Sequence, residues 1–271
     1  MNQKARSAVQ YSTQIVYKVT SEIHSPAFLS SHRRKSTDFT RNSTLTFPRM
    51  ISFMLNMVNG SLQTELSRFF SIINDEQINP LHVSTAAFSK ARKKISFTAF
   101  TTLNEQLIDT FNKSTSMKRW NGFRLLAVDG SVTRLPPSKE LLDHFGKARQ
   151  ISSTPAIRIS QLYDIENKLT VDLQVDPHAT GERNQALKHL QKAGVNDLIL
   201  YDRGYPSVWF FKYHLLKGID FCSRVTVDSS NIVKDFLASG KYDDIQEFPC
   251  VESHLGDAVK MIYQQLPLKF V

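Results

Sequence analysis

The sequence predicts a two-part chain, a helical front followed by an α/β back built on a sheet with parallel members. Three observations carry that reading. Apolar residues recur at helical spacing over residues 37–118. From residue 119 onward the runs change to strand, hairpin strands, helix, strand, helix, strand, and strand-helix-strand order is the mark of an α/β sheet. The charge divides at the same place. Residues 1–120 hold 16 Lys/Arg against 7 Asp/Glu, residues 121–271 hold 18 of each, and the net +9 therefore sits wholly in the front part. Such asymmetry points to a front that meets a polyanion and a neutral back that does something else.

The elements follow in order. Residues 1–36 are polar and weakly patterned and end in the basic run Ser31-His32-Arg33-Arg34-Lys35, which reads as an extension or linker. Thr46 caps a helix with Pro48 in its first turn and Gly60 as its stop, and Phe47, Ile51, Met54, Leu55 and Val58 form its apolar stripe. Ser61 caps a second helix with Leu62, Leu66, Phe69, Phe70 and Ile73 on one side. Ser84 caps a third over residues 83–95. Its Phe88, Ala91 and Ile95 turn inward while Lys90, Lys93 and Lys94 turn out, so this helix is the candidate contact to DNA phosphates. A fourth carries Phe100, Leu103, Leu107, Ile108 and Phe111.

In the back part, FRLLAVDGS (123–131) is an apolar run ending at Asp129-Gly130, and SKELLDHFG is a short helix stopped by Gly146. AIRISQLYD (156–164) and LTVDLQV (169–175) pair as a hairpin, and Leu169, Val171, Leu173 and Val175 alternate as one inward face. That alternation turns Asp172 and Asp176 to solvent, and Asp164 falls at the hairpin. Thr180 caps the helix ERNQALKHLQKAG, which ends at Gly194. DLILY (197–201) is the next strand, followed by a helix over VWFFKYHLLKG and a strand at DFCSRV.

Composition excludes several classes. No run approaches the roughly 18 apolar residues of a membrane span, and the N-terminal residues lack a secretory apolar region. Cys222 and Cys250 have no C-x-x-C partner, so neither a disulfide nor a zinc framework is expected, and a cytoplasmic location fits.

Asp129 and Asp202 each follow an apolar strand, where α/β sheets build their sites. Taken singly, each also fits an ordinary turn. Taken together, two carboxylates on neighbouring strand tips repel one another unless a cation joins them, and hard oxygen ligands suit Mg2+ or Mn2+. Paired metals clamp the attacking and leaving oxygens of a phosphodiester. A phosphatase reading of LLAVDGS as D-x-D-G-[ST] fails because the nucleophile position is Ala127.

The order and spacing of DFTRNSTLTFPRMISFML, VSTAAFSKARKKI, LLAVDGS, GERNQALKHL, LILYDRGY and DFCSRV make residues 37–271 resemble the bacterial DDE transposases of the insertion-sequence-four family. That resemblance implies a helical DNA-binding domain at 37–118. It also implies an RNase H-like catalytic core over 119–271, with a β-rich insertion beginning near 226. Asp129 on the first strand and Asp202 after the fourth would be catalytic and would bind two Mg2+ (or Mn2+). The partners implied are transposon terminal inverted repeats and target DNA, met by a homodimer. The reaction implied is nicking at transposon ends followed by strand transfer.

The family's third acid sits in Y-x-x-R-x-x-x-E. Tyr205, Tyr213, Tyr242 and Tyr263 are followed three residues on by Val208, Leu216, Ile245 and Leu266, none of them Arg. The chain is therefore expected to be C-terminally truncated within the insertion, with an incomplete triad and no activity alone. The alternative expectation is a non-catalytic DNA-binding inhibitor of a full-length transposase.

Overall fold

The computed structural model describes residues 3–56, 60–75, 83–113, 117–147 and 154–245. The chain divides into two compact units, residues 1–117 and 118–271. The described residues of the first unit form helices α1 (Gln3–Ile23), α2 (Pro26–His32), α3 (Phe47–Leu55), α4 (Leu62–Asn74), α5 (Thr85–Arg92) and α6 (Thr98–Asn112).

The hydroxyls of Thr46, Ser61 and Ser84 cap α3, α4 and α5 by accepting the N–H groups of Arg49, Thr64 and Ala87. Each such cap satisfies an otherwise orphaned donor and contributes about 1 kcal/mol. The inward faces meet in one core around Phe47, Ile51, Phe53, Leu66, Phe70 and Phe88. Phe53 packs edge-on against Phe69 at 5.3 Å and Phe88 at 5.0 Å. That three-ring contact rotates α3 from the expected stripe: Phe53 is buried and Leu55 is exposed.

Residues 1–36, expected as an extension, are instead helical over most of their length. Phe28 is buried and meets the Phe47 ring at 6.0 Å, and Ile23 joins the same core. The basic run is tied down by backbone bonds, Arg34 N–H donating to Lys94 O and Ser96 N–H to His32 O. Few apolar residues mark this segment, so its pattern is weak even though each of them is used. α5 also ends earlier than expected, at Arg92, with Lys93 and Lys94 in the following turn.

The second unit runs β1 (Arg124–Arg134), α7 (Lys139–Phe145), β2 (Ala156–Asp164), β3 (Leu169–Pro177), α8 (Glu182–His189), β4 (Asp197–Tyr201), α9 (Val208–Lys217) and β5 (Asp220–Ser223), then α10 (Asn231–Ala238). The five strands form one sheet in the order β3-β2-β1-β4-β5. β1, β2 and β3 are an antiparallel meander, and β4 and β5 add in parallel beyond β1. The unit is thus mixed α/β, as the strand-helix-strand order predicts. One sheet face, carrying Leu126, Val128, Ile199 and Tyr201, is buried. Ala186, His189 and Leu190 in and just after α8, and Phe210 and His214 of α9, are buried with it.

Four local expectations change. β1 does not end at Asp129 but continues to Arg134, because β2 accompanies it antiparallel as far as Arg134↔Ala156. Thr180 does not cap α8; Gly181 is its N-cap, and the helix stops at His189 rather than Gly194. On β3 it is Leu173 and Val175 that are exposed, while Asp172 and Asp176 lie under α8. Asp164 is buried too, accepting from the Asn167 backbone and side chain. Polar residues of α8 select the polar side of β3, which reverses the usual rule. After residue 226 the described residues form a 3-10 turn and α10, with no strand up to 245; the rest of the expected insertion lies outside the described residues.

The parallel seam between β1 and β4 begins at Arg124↔Asp197. These two side chains are themselves a buried ion pair, with Nε–Oδ1 at 2.8 Å and Nη2–Oδ2 at 2.6 Å. Asp197 also accepts the Gly194 N–H. A bidentate pair with a further backbone donor on the carboxylate is the geometry that offsets desolvation. Asp197→Ala leaves the Arg124 guanidinium buried without its counter-charge, and is expected to lower unfolding free energy by about 3–5 kcal/mol in urea titration.

His214 is fully buried among Tyr201, Phe210 and Phe221, with the Ile219 backbone beside it, and among the described residues neither ring nitrogen makes a well-formed hydrogen bond. Burial pushes it down to about 4. The unfolded chain takes up this proton near the ordinary value of about 6.5. Stability therefore falls as pH drops from about 6.5 towards 4, by an amount on the order of 2–3 kcal/mol. His214→Phe is expected to flatten that part of the stability–pH curve, measured by urea unfolding at a series of pH values.

Candidate functional site

The register places the two sequence-predicted aspartates at one level. β1 and β4 pair up to Ala127↔Leu200, and two residues further along each chain lie Asp129 and Asp202. Asp129 stays within β1, opposite Gln161 of β2, but lies beyond the part of β1 that β4 covers. Asp202 is the first residue after β4. Both are exposed. The place where β4 stops beside a continuing β1 opens a notch in the sheet, and both carboxylates stand at it.

Their immediate partners differ. Asp129 Oδ1 accepts its neighbour Gly130's N–H at 2.8 Å. Asp202 Oδ1 accepts the Arg203 N–H at 2.7 Å and the guanidinium of Arg224, which follows β5. The Arg203 N–H and then the Arg224 guanidinium hold the Asp202 carboxyl below its ordinary range, so it is ionised at neutral pH.

Beneath this pair, on the side of Gly130, lies a second group that sequence reasoning did not single out. Glu182, the first residue of α8, pairs with Arg158 of β2. Tyr205 is 3% exposed, and its hydroxyl lies beside Ser160. Burial, then the charges of Glu182 and Asp129, push its phenol up to about 12, so it stays protonated. Arg183 donates to the carbonyls of Tyr205 and Pro206 and so ties the chain after Asp202 to α8. The relevant letters stand in GERNQALKHL and DRGYPS, but no spacing rule joins them. Only the sheet register does.

In the first unit, Lys90 and Lys94 line a groove with Arg41 and with Thr37, Thr40 and Ser43, a cavity of about 660 Å³ between α5 and residues 37–45. Lys93, the third predicted DNA contact, is not part of its lining. Among the described residues no carboxylate pairs with Arg41, Lys90, Lys93 or Lys94. Asp38, also in the lining, spends one carboxylate oxygen on the Lys35 N–H. Arg41 was missed because it lies in an irregular stretch with no period to place it.

Among the described residues no cluster of three or more His, Cys, Asp or Glu is arranged to hold a metal, and no helix is long and apolar enough to cross a membrane. No curated protein matches the chain. A cryo-EM structure of a piggyBac transposase synaptic complex with hairpin DNA aligns at 14% identity and a TM-score of 0.37, covering 86% of this chain. This chain spans about half the length of that one, 52%. The family match is more direct: residues 120–250, which contain the whole sheet, both aspartates and Glu182, match the family described as the transposase DDE domain.

Proposed function

We propose that the chain is a DNA transposase of the DDE type, with Asp129 and Asp202 as catalytic metal ligands. One observation carries the reading: within the stretch that matches the transposase DDE domain, a parallel register sets two exposed carboxylates level where one strand outruns the other. The sheet order, an antiparallel meander followed by two parallel strands, is that of an RNase H-like core and supports the same reading.

The residues fit a hard divalent cation such as Mg2+ or Mn2+. The donors are carboxylate oxygens, Asp202 is ionised, and both lie open to solvent and to a phosphate. One or two protein carboxylates, with the remaining positions left to water and substrate phosphate, is how Mg2+ is usually held. A cation bound there would polarise the phosphodiester and lower the pKa of a water. The chain's own work is to hold two anionic side chains at fixed spacing and to bring DNA to them. Arg224 orients Asp202 meanwhile. The family's third acid has no matching motif after Asp202, so two carboxylates are assigned.

The basic groove of the first unit supplies the hold on DNA. Unpaired Lys and Arg side chains beside hydroxyl donors are suited to phosphate oxygens and carry little base information.

Two outcomes test the reading. Mn2+ binding to the whole chain, followed by electron paramagnetic resonance, is expected to weaken by at least about tenfold in Asp129→Asn and in Asp202→Asn; affinity unchanged in both would remove the metal site. Binding to duplex DNA is expected to weaken in Lys90→Ala, Lys94→Ala and Arg41→Ala, each flattening the slope of log affinity against log salt by about 0.9. Slopes equal to wild type in all three would place the DNA elsewhere.

A further inference from the structure

A chain of polar groups runs through the buried side of the sheet and ends beside both aspartate-bearing segments. It starts at Asp172 of β3, whose Oδ2 accepts from His189 Nδ1 at 2.7 Å. The other ring nitrogen of His189, Nε2, lies 3.0 Å from Ser160 Oγ on β2, and the Tyr205 hydroxyl lies beside Ser160. His189 is 0% exposed and Ser160 1%. Groups this deep are costly to bury unless each is satisfied, and here Asp172, His189 and Ser160 are each hydrogen-bonded.

The far end of this chain touches the backbone next to the site. Ser160 stands directly opposite Gly130 in the β1–β2 register. A methyl group at Gly130 would lie 3.6 Å from the Tyr205 hydroxyl and 3.9 Å from Glu182 Cγ. A methyl at Gly204, two residues after Asp202, would lie 3.3 Å from Glu182 Oε2. A side chain at Gly204 would press on Glu182, and one at Gly130 would meet Tyr205 and Glu182 at ordinary contact distance, so both groups lie directly beneath the two segments. Arg158 holds Glu182 by its carboxylate, and Arg183 holds the carbonyls of Tyr205 and Pro206.

We propose that Tyr205 and Glu182 are positioning residues that set the spacing of Asp129 and Asp202 by bracing the backbone of Gly130 and of the 202–207 loop. They face away from the metal side: strand alternation puts Gly130 on the opposite face of β1 from Asp129. Their action is therefore through the backbone, in the way that groups behind metal ligands set ligand orientation. The Asp172–His189–Ser160 series stands beside the Tyr205 hydroxyl, and the Arg158 guanidinium holds Glu182. This inference rests on the two-aspartate reading above.

The test uses Tyr205→Phe and Glu182→Gln, singly and together, in the whole chain, with Mn2+ as the probe. Tyr205→Phe keeps the ring in the core, and Glu182 is partly exposed, so Glu182→Gln leaves packing intact. Mn2+ dissociation constants are read by electron paramagnetic resonance well below the melting temperature of each variant, so a loss of stability alone does not enter. Each single change is expected to weaken Mn2+ about tenfold. The double variant is expected to lose less than the product of the two, because both brace the same backbone. Wild-type affinity in both single variants, with affinity lost in Asp129→Asn, would overturn the bracing role and leave the two-aspartate site standing. Mn2+ binding indifferent to Asp129→Asn would overturn both.

Discussion

The parallel seam between β1 and β4 is the constraint on which the second unit depends. Its first pair, Arg124 and Asp197, is joined both by strand register and by a buried bidentate ion pair. A one-residue slip would turn Leu126 and Ile199 out of the core and part the two charges in a dry environment. The register is therefore doubly specified. Everything further along the seam inherits it, including the level at which Asp129 and Asp202 stand.

The sheet then does different work on its two sides. One face is apolar near β1 and β4 but polar across β2 and β3, where α8 packs on Asp172, Asp176 and Ser160 through His189, Gln185 and Lys188. A hydrogen-bonded polar interface of this kind specifies one seating of the helix more narrowly than a greasy one, since a shift strands further buried donors or acceptors. The consequence reaches the proposed site, because the first turn of α8 carries Glu182 and Arg183. In the proposed bracing, that helix start is what holds the spacing of the two exposed carboxylates. In the first unit the same economy appears in simpler form: an aromatic core turns α5 so that Lys90 faces a groove with Arg41 and Lys94.

Much was legible in the letters. The caps at Thr46, Ser61 and Ser84, the hairpin at 156–164 and 169–177, the strand at 197–201 and the Gly stops at 146 and 218 rest on local chemistry, which needs no distant partner to act. Asp129 and Asp202 were legible for the same reason, each ending an apolar run. Where reading failed, a distant partner decided. β1 runs past Asp129 because β2 is there to pair with it. Asp172 and Asp176 turn inward because α8 offers them a histidine, an amide and an ammonium group. Helix α2 belongs to the core because Phe47 meets Phe28.

By itself, then, the sequence determined the two-part division of charge, the period of each segment, the ends of most elements and the pair of strand-borne aspartates. These are properties of neighbouring residues, governed by backbone geometry and by which side chains prefer water. Tertiary structure alone decided which strands adjoin and in what register, that the aspartates stand level, and that Glu182, Tyr205 and Arg158 lie beneath them. Those relations join residues tens of positions apart, and their energy comes from burial and from charges paired in a dry interior. Neither exists until the chain has closed on itself.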